Sequence, residues 1–257
     1  MPFVEINQQQ IEFARHAGAA NAAPVVLLHE GLGSVATWRD FPARLAAASS
    51  RTVVSYSRQG YGKSDALSGQ RPNLRTAEFM HAEAWEGLPA LLQRLGLANP
   101  VLLGHSDGAS IALLYAARYP VTGVIAMAPH VKVESISVES IEAARQAYLV
   151  SDLRGKLAKY HDDVDGAFWG WADIWLSAPF RTWNIEAEVA KIAAPVLALQ
   201  GEDDQYGTLE QIESIKRRAA QVKLLKLPKC GHSPHRDHPD IVLSAIVSFL
   251  AALQPQL

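Results

Sequence analysis

Apolar residues along this chain fall into two rhythms. Short, almost unbroken apolar runs occur at Pro24 to Leu28, Arg51 to Tyr56, Val101 to Leu103, Gly123 to Ala128, Pro195 to Gln200 and Val222 to Leu227. Runs of this length predict strands, and the one at Pro195 to Gln200 predicts a buried one. Between them lie stretches with helical spacing: around Trp38 to Ala48, Ala77 to Leu95, Ala109 to Arg118 and Pro239 to Leu253. Pro89 is expected to interrupt the second of these, because proline lacks the amide proton that the helix ladder needs. Val4 to Ile6 and Ile11 to Ala14 read as an opening antiparallel hairpin. Repeated strand–helix units predict an α/β fold, a mostly parallel central sheet flanked by helices.

The rhythm stops between residues 130 and 185. This stretch holds helix-like segments such as Val138 to Val150 and no convincing buried strand. It also concentrates aromatic residues: Phe168, Trp169, Trp171, Trp175, Phe180 and Trp183. Large aromatics pack cores as readily as they line pockets. The expectation is one domain over residues 1–257, with 130–185 a helical insertion within it.

Chemistry enters at Gly104-His105-Ser106-Asp107-Gly108, which sits between a strand pattern and a helix pattern. That context gives a G-x-S-x-G its meaning: the serine occupies a sharp strand-to-helix turn, its hydroxyl thrown out at the carboxyl edge of the sheet. The flanking glycines are expected where a side chain would strike the neighbouring strand or helix. A serine is a poor nucleophile without a base and a group that orients the base. The strand at Pro195 to Gln200 ends in Gly201-Glu202-Asp203-Asp204, and the strand at Val222 to Leu227 leads to Cys230-Gly231-His232. Either Asp203 or Asp204 can supply the orienting carboxylate. The order Ser, Asp, His is that of one serine-hydrolase lineage and not of the chymotrypsin or subtilisin ones.

Two further motifs complete the set. His29-Glu30-Gly31-Leu32-Gly33-Ser34 follows the first buried strand, and Tyr56-Ser57-Arg58-Gln59-Gly60-Tyr61-Gly62 closes the next. Taken together and in order, the five motifs resemble the α/β-hydrolase-fold serine hydrolases, with a looser likeness to the biphenyl-hydrolase-like branch. The likeness covers nearly the whole chain. It implies Ser106 as nucleophile, His232 as base and Asp204 as orienter, since the family's acid lies three residues after the strand-ending glycine. It implies an oxyanion hole from the backbone N–H of Asp107 and from the Gly31-Leu32 loop. It also implies that residues 130–185 form a cap over the sheet edge, with Glu30, Asp107, His130, Trp169, Trp171 and Trp175 as candidates for contact with substrate. This chain departs from the family in carrying Glu30 inside the oxyanion loop and Ser57 where an aspartate is common.

Three functions are compatible with these residues. The first is hydrolysis of a small or medium carboxylic ester, including an amino-acid ester if Asp107 and Glu30 form an acidic pocket. The second is carbon–carbon bond hydrolysis of the meta-cleavage type. The third is a non-catalytic small-ligand receptor, since fold does not fix function. Asp107 has a competing role as a cap for the helix behind it.

Composition narrows the surroundings. A net charge of −2 gives no basic face for nucleic acid or an anionic membrane. The apolar fraction of 49% suits a large core, and no apolar run approaches the roughly 20 residues of a membrane span. The opening Met1-Pro2-Phe3-Val4-Glu5 lacks a signal-peptide pattern, and the single Cys230 has no partner for an internal disulfide. A cytoplasmic monomer or homodimer acting on a small molecule is expected. His235, Asp237 and His238 sit near one another, but Pro234 and Pro239 suggest an irregular loop, and no metal or other cofactor is expected.

Overall fold

The computed structural model describes residues 2–19 and 22–253. Eight strands form one sheet: β1 (Phe3–Ile6), β2 (Gln9–His16), β3 (Val25–Leu28), β4 (Val53–Tyr56), β5 (Val101–His105), β6 (Gly123–Met127), β7 (Val196–Gly201) and β8 (Val222–Leu227). Their spatial order is β1-β2-β4-β3-β5-β6-β7-β8. The opening hairpin pairs antiparallel and joins β4 antiparallel, while every pair from β4 to β8 is parallel.

The apolar runs of β3 to β7 are continuous because helices cover both faces. Side chains alternate along each strand. Val25 and Leu27 pack with α1 (Phe41–Ser49), whereas Val26 and Leu28 face the opposite layer. That opposite layer holds a long helical stretch, α2 (Phe79–Ala82), a π-helical turn Glu83–Gly87 and α3 (Leu88–Leu95), together with α4 (Asp107–Ala116). The π turn ends two residues before Pro89, the expected site of interruption. A proline cannot donate to the carbonyl four residues back and clashes with it, and a wider turn accommodates both problems. The helix expected near Trp38 is likewise split: a 3-10 turn at Ala36–Trp38 precedes α1, separated by Arg39 at φ 54°.

Between β6 and β7 the chain forms α5 (Ser135–Val150), α6 (Leu153–Leu157), α7 (Val164–Leu176) and α8 (Glu186–Val189), with no strand longer than an isolated bridge at Lys132 and Asn184. After β7 come α9 (Glu210–Arg218), the short α10 (Pro234–Asp237) and α11 (Pro239–Ala252). The loop expected at 234–238 is thus a single helical turn, with Pro234 at its start where the missing amide proton costs nothing. Helix α11 lays Val242, Ile246, Phe249 and Leu250 on the same core as α1. No helix among the described residues is long and apolar enough to cross a membrane.

This architecture carries the loops after β3, β5, β6, β7 and β8 to one edge of the sheet. Those loops contain every candidate residue of the sheet.

Candidate active site

Ser106 adopts φ 54° and ψ −121°, an unfavourable conformation for a residue with a Cβ. It persists because its surroundings fix it. The Ser106 N–H donates to Met127 O at 2.9 Å, and the Ser106 carbonyl accepts the first bonds of α4. The turn is as tight as the motif requires. A Cβ on Gly104 would lie 2.2 Å from Gly108 O, and one on Gly108 would lie 2.1 Å from Leu28 O. Backbone stands on both sides, so neither site has room for a side chain.

His232 and Asp204 meet in the same region. His232 Nδ1 lies 2.8 Å from Asp204 Oδ1 and 3.0 Å from Oδ2. Asp204 also accepts from the Tyr206 N–H at 2.8 Å and from Gln200 Nε2 at 3.1 Å. Burial works against the Asp204 carboxylate, but the bond and charge of His232 and the Tyr206 amide hold the carboxyl below its ordinary range. Asp203, by contrast, is exposed. Ser106 and His232 line one cavity of about 600 Å³, counting the solvent at its mouth. Among the described residues no hydrogen bond joins the Ser106 hydroxyl to the His232 ring. Such contacts are often long until substrate binds.

Backbone donors also face this space. Gly31, Leu32 and Asp107 all line it, and none of their N–H groups donates to a protein acceptor among the described residues. Gly31 is packed closely against the insertion: a Cβ there would lie 2.2 Å from Trp171 Nε1.

Asp107 is 1% exposed, and neither carboxylate oxygen has a hydrogen-bond partner. Burial raises its carboxyl above the ordinary value. The charges of Arg58 and Arg75 and the neighbouring Trp175 indole pull the other way, although the indole N–H does not reach bonding geometry. The expected alternative, a side-chain cap on α4, is not made. Asp107 is among the residues that line the cavity, while its carboxylate oxygens are buried behind the surface.

The other candidates divide. Trp171 and Trp175 line the cavity, as does His130, whose ring sits 4.9 Å from that of Trp175. Burial, then the nearby His232, brings His130 down to about 3, so it is a neutral polar ring. Trp169 lies elsewhere. Arg71 stacks on it with its guanidinium carbon 3.4 Å from the ring centroid, and Tyr148 and Phe168 flank it. It therefore packs the insertion and does not line the cavity. Helix phase explains this: Trp171 and Trp175 are four apart on one face of α7, and Trp169 is out of step with both.

Glu30 lines the cavity, but its carboxylate is already committed. Oε2 lies 2.7 Å from His105 Nδ1, and Oε1 lies 3.4 Å from Arg236. Burial opposes its ionisation, and the charge and bond of His105, followed by Arg236, overcome this and hold it far below the usual carboxylate range. The acidic pocket expected from Glu30 and Asp107 together is thus reduced to Asp107. Tyr206, Ile141 and Ser233 also line the cavity, and no sequence motif marked them. Cys230 is buried, and burial followed by Asp237 pushes its thiol up to about 12, which suits packing and not nucleophilic work.

Comparison with known proteins shows the family. The profile described as "Alpha/beta hydrolase family" matches residues 25–245. The chain belongs to the alpha/beta hydrolase family. It is 27% identical, over 282 aligned residues, to a 2-hydroxy-6-oxo-6-phenylhexa-2,4-dienoate hydrolase of Burkholderia cepacia, covering 97% of this chain and 96% of that one. It is 34% identical to a proline iminopeptidase of Lactobacillus crispatus over 122 residues, 48% of this chain and 40% of the other. Among solved structures, an esterase from Exiguobacterium antarcticum superposes with a TM-score of 0.76 at 20% identity, covering 97% of this chain and 99% of that one. The chain is therefore a hydrolase of the α/β-hydrolase superfamily, and the relatives named here act on different substrates.

Proposed function

We propose that this hydrolase cleaves small carboxylic esters through an acyl-enzyme on Ser106, and that it favours esters bearing a basic nitrogen. The observation that carries the first part is the buried His232–Asp204 bond beside a serine held at positive φ. His232 takes the Ser106 proton as the hydroxyl attacks the carbonyl carbon. Asp204 keeps the ring in the tautomer with Nδ1 protonated and stabilises the imidazolium that forms. The N–H of Asp107 and one from Gly31 or Leu32 receive the oxyanion; loss of one such donor costs roughly 10²–10³ in rate. His232 returns the proton to the leaving alcohol, and water then repeats the attack. All groups required are side chains and backbone amides, so no cofactor is invoked.

The preference for a basic nitrogen rests on Asp107. A buried carboxylate with both oxygens unpaired loses more than any other group in the cavity by remaining unpaired. An ammonium group beside the ester, as in an α-amino-acid ester, would supply the missing donors. The carbon–carbon bond reading has the Burkholderia relative in its favour. The substrate in that relative's name is a dienoate, an anion, and Asp107 would repel a carboxylate placed nearby.

The test is a matched panel of p-nitrophenyl esters, amino-acid esters and dienones, with Ser106→Ala and Asp107→Asn. Turnover of esters that vanishes in Ser106→Ala, and a cationic preference that vanishes in Asp107→Asn, are expected. Turnover of the dienones alone would favour the carbon–carbon reading. No Ser106-dependent turnover would favour a receptor.

A further inference from the structure

We propose that Glu30 and His105 form a charged clamp that positions His232 from behind. The proposal rests on the reading of His232 as general base and extends it. His105 is 1% exposed and makes two short contacts: Nδ1 to Glu30 Oε2 at 2.7 Å, and Nε2 to the His232 carbonyl oxygen at 2.6 Å. A backbone carbonyl only accepts, so Nε2 carries a proton. The ionised Glu30 carboxylate also only accepts, so Nδ1 carries a second. The ring is an imidazolium, and its bond to the His232 carbonyl is charge-assisted.

Its setting suits this role. The rings of Trp38 and His235 pack on His105 and keep water from it. His235 is neutral, brought down to about 3 by burial and then by His105, so it does not compete for Glu30. Arg236 holds the other Glu30 oxygen and also donates to Thr37 O at 3.1 Å. One carboxylate therefore joins three loops: its own after β3, the nucleophile turn through His105, and the histidine loop through both His105 and Arg236.

The mechanical consequence follows. The His232 ring is fixed through Nδ1 by Asp204. Its backbone is fixed by His105. With both ends held, the ring can move little relative to Ser106. Misplacing a catalytic group by about 1 Å can cost roughly 10²-fold in rate. Glu30 and His105 touch no reacting atom; they are positioning residues. The acidic residue in the oxyanion loop, a departure from the family pattern, thereby acquires a task.

Two measurements test the clamp. The first uses the wild-type protein labelled with ¹⁵N-histidine: both His105 ring nitrogens should be protonated at neutral pH. The second compares Glu30→Gln, His105→Ala and His105→Gln with p-nitrophenyl acetate, each normalised to active sites titrated by a fluorophosphonate. Glu30→Gln and His105→Ala should lower kcat about 10-fold or more with KM within about twofold. His105→Gln, which can still donate to the carbonyl, should recover part of the loss. A bare His105 nitrogen, or kcat within twofold of wild type in both Glu30→Gln and His105→Ala, would overturn the clamp. If wild type shows no Ser106-dependent turnover, the proposed function fails, while the histidine spectra still judge the charged pair. Should a variant not fold, the wild-type spectra decide.

Discussion

His161 Nε2 lies 3.0 Å from the carbonyl oxygen of Leu32, which joins the insertion to the loop that carries the free N–H groups. Its other nitrogen, Nδ1, accepts the Gly62 N–H at 3.0 Å. The ring is thus neutral, with the proton on Nε2, and spans two loops of the sheet edge. His161→Leu would leave the Gly62 N–H unpaired, at a cost of about 1–3 kcal/mol, and would free the Leu32 loop. A lower urea midpoint and a kcat/KM reduced about 10-fold are expected. Unchanged ester turnover would show that the Leu32 loop holds its shape without the insertion.

Acid should destabilise this fold early. His29, His130, His161 and His235 are all pushed below the ordinary histidine value of 6.5, in each case first by burial. Between the folded and unfolded values the unfolded chain binds more protons, so stability falls as pH falls. The loss begins just below 6.5, and each ring contributes up to about 1.4 kcal/mol per pH unit. Asp204 and Glu30, both held low in the fold, add to the loss further down, below about 4.5. Urea unfolding at a series of pH values from 7.5 to 5 checks the slope. His130→Gln should flatten it by one ring's share, and a flat profile in wild type would contradict the neutral-ring assignments.

Asp204 and Asp203 are neighbours in sequence with opposite settings, the first buried against His232 and the second exposed. Asp204→Asn should reduce kcat on activated esters by roughly 10⁴. Asp203→Asn should leave it within about twofold. Steady-state kinetics on both variants decides, and a large loss in Asp203→Asn would reassign the orienting acid.

Two glycines give a sharp contrast in stability. Gly108→Ala would drive a methyl to 2.1 Å from Leu28 O, where only backbone can yield, and folded protein is not expected. Gly96 has φ 65° with nothing within 4 Å of an added Cβ. Gly96→Ala meets only the left-handed backbone penalty, about 1–2 kcal/mol. Thermal unfolding of the two separates crowding from backbone strain.

Much of this site was legible because parallel sheets place chemistry at strand ends. Ser106 and Asp204 each follow a run of buried residues, and His232 follows the edge strand β8, whose leucines alternate with exposed lysines; such strands are plain in sequence. The strand assignments held to within a residue or two for the same reason, although the opening hairpin's second strand extends further in both directions. Side-chain direction was not legible. Glu30 reads as a free acid near the oxyanion loop until its partner, 75 positions away, is seen. Trp169 reads as a pocket residue by proximity to Trp171, though helical phase alone places the two on different faces. Tyr206 reaches the cavity through a turn with no apolar periodicity, so no pattern announced it.

The backbone at Ser106 has a consequence for how such a protein changes over time. Its positive φ suits glycine better than any residue with a side chain, and relief of the strain in Ser106→Gly should raise the unfolding free energy by about 1 kcal/mol. The position that does the proposed chemistry is therefore one where thermal tolerance and catalysis favour different residues. Selection for heat resistance alone would favour glycine there, whereas the proposed chemistry needs the serine hydroxyl.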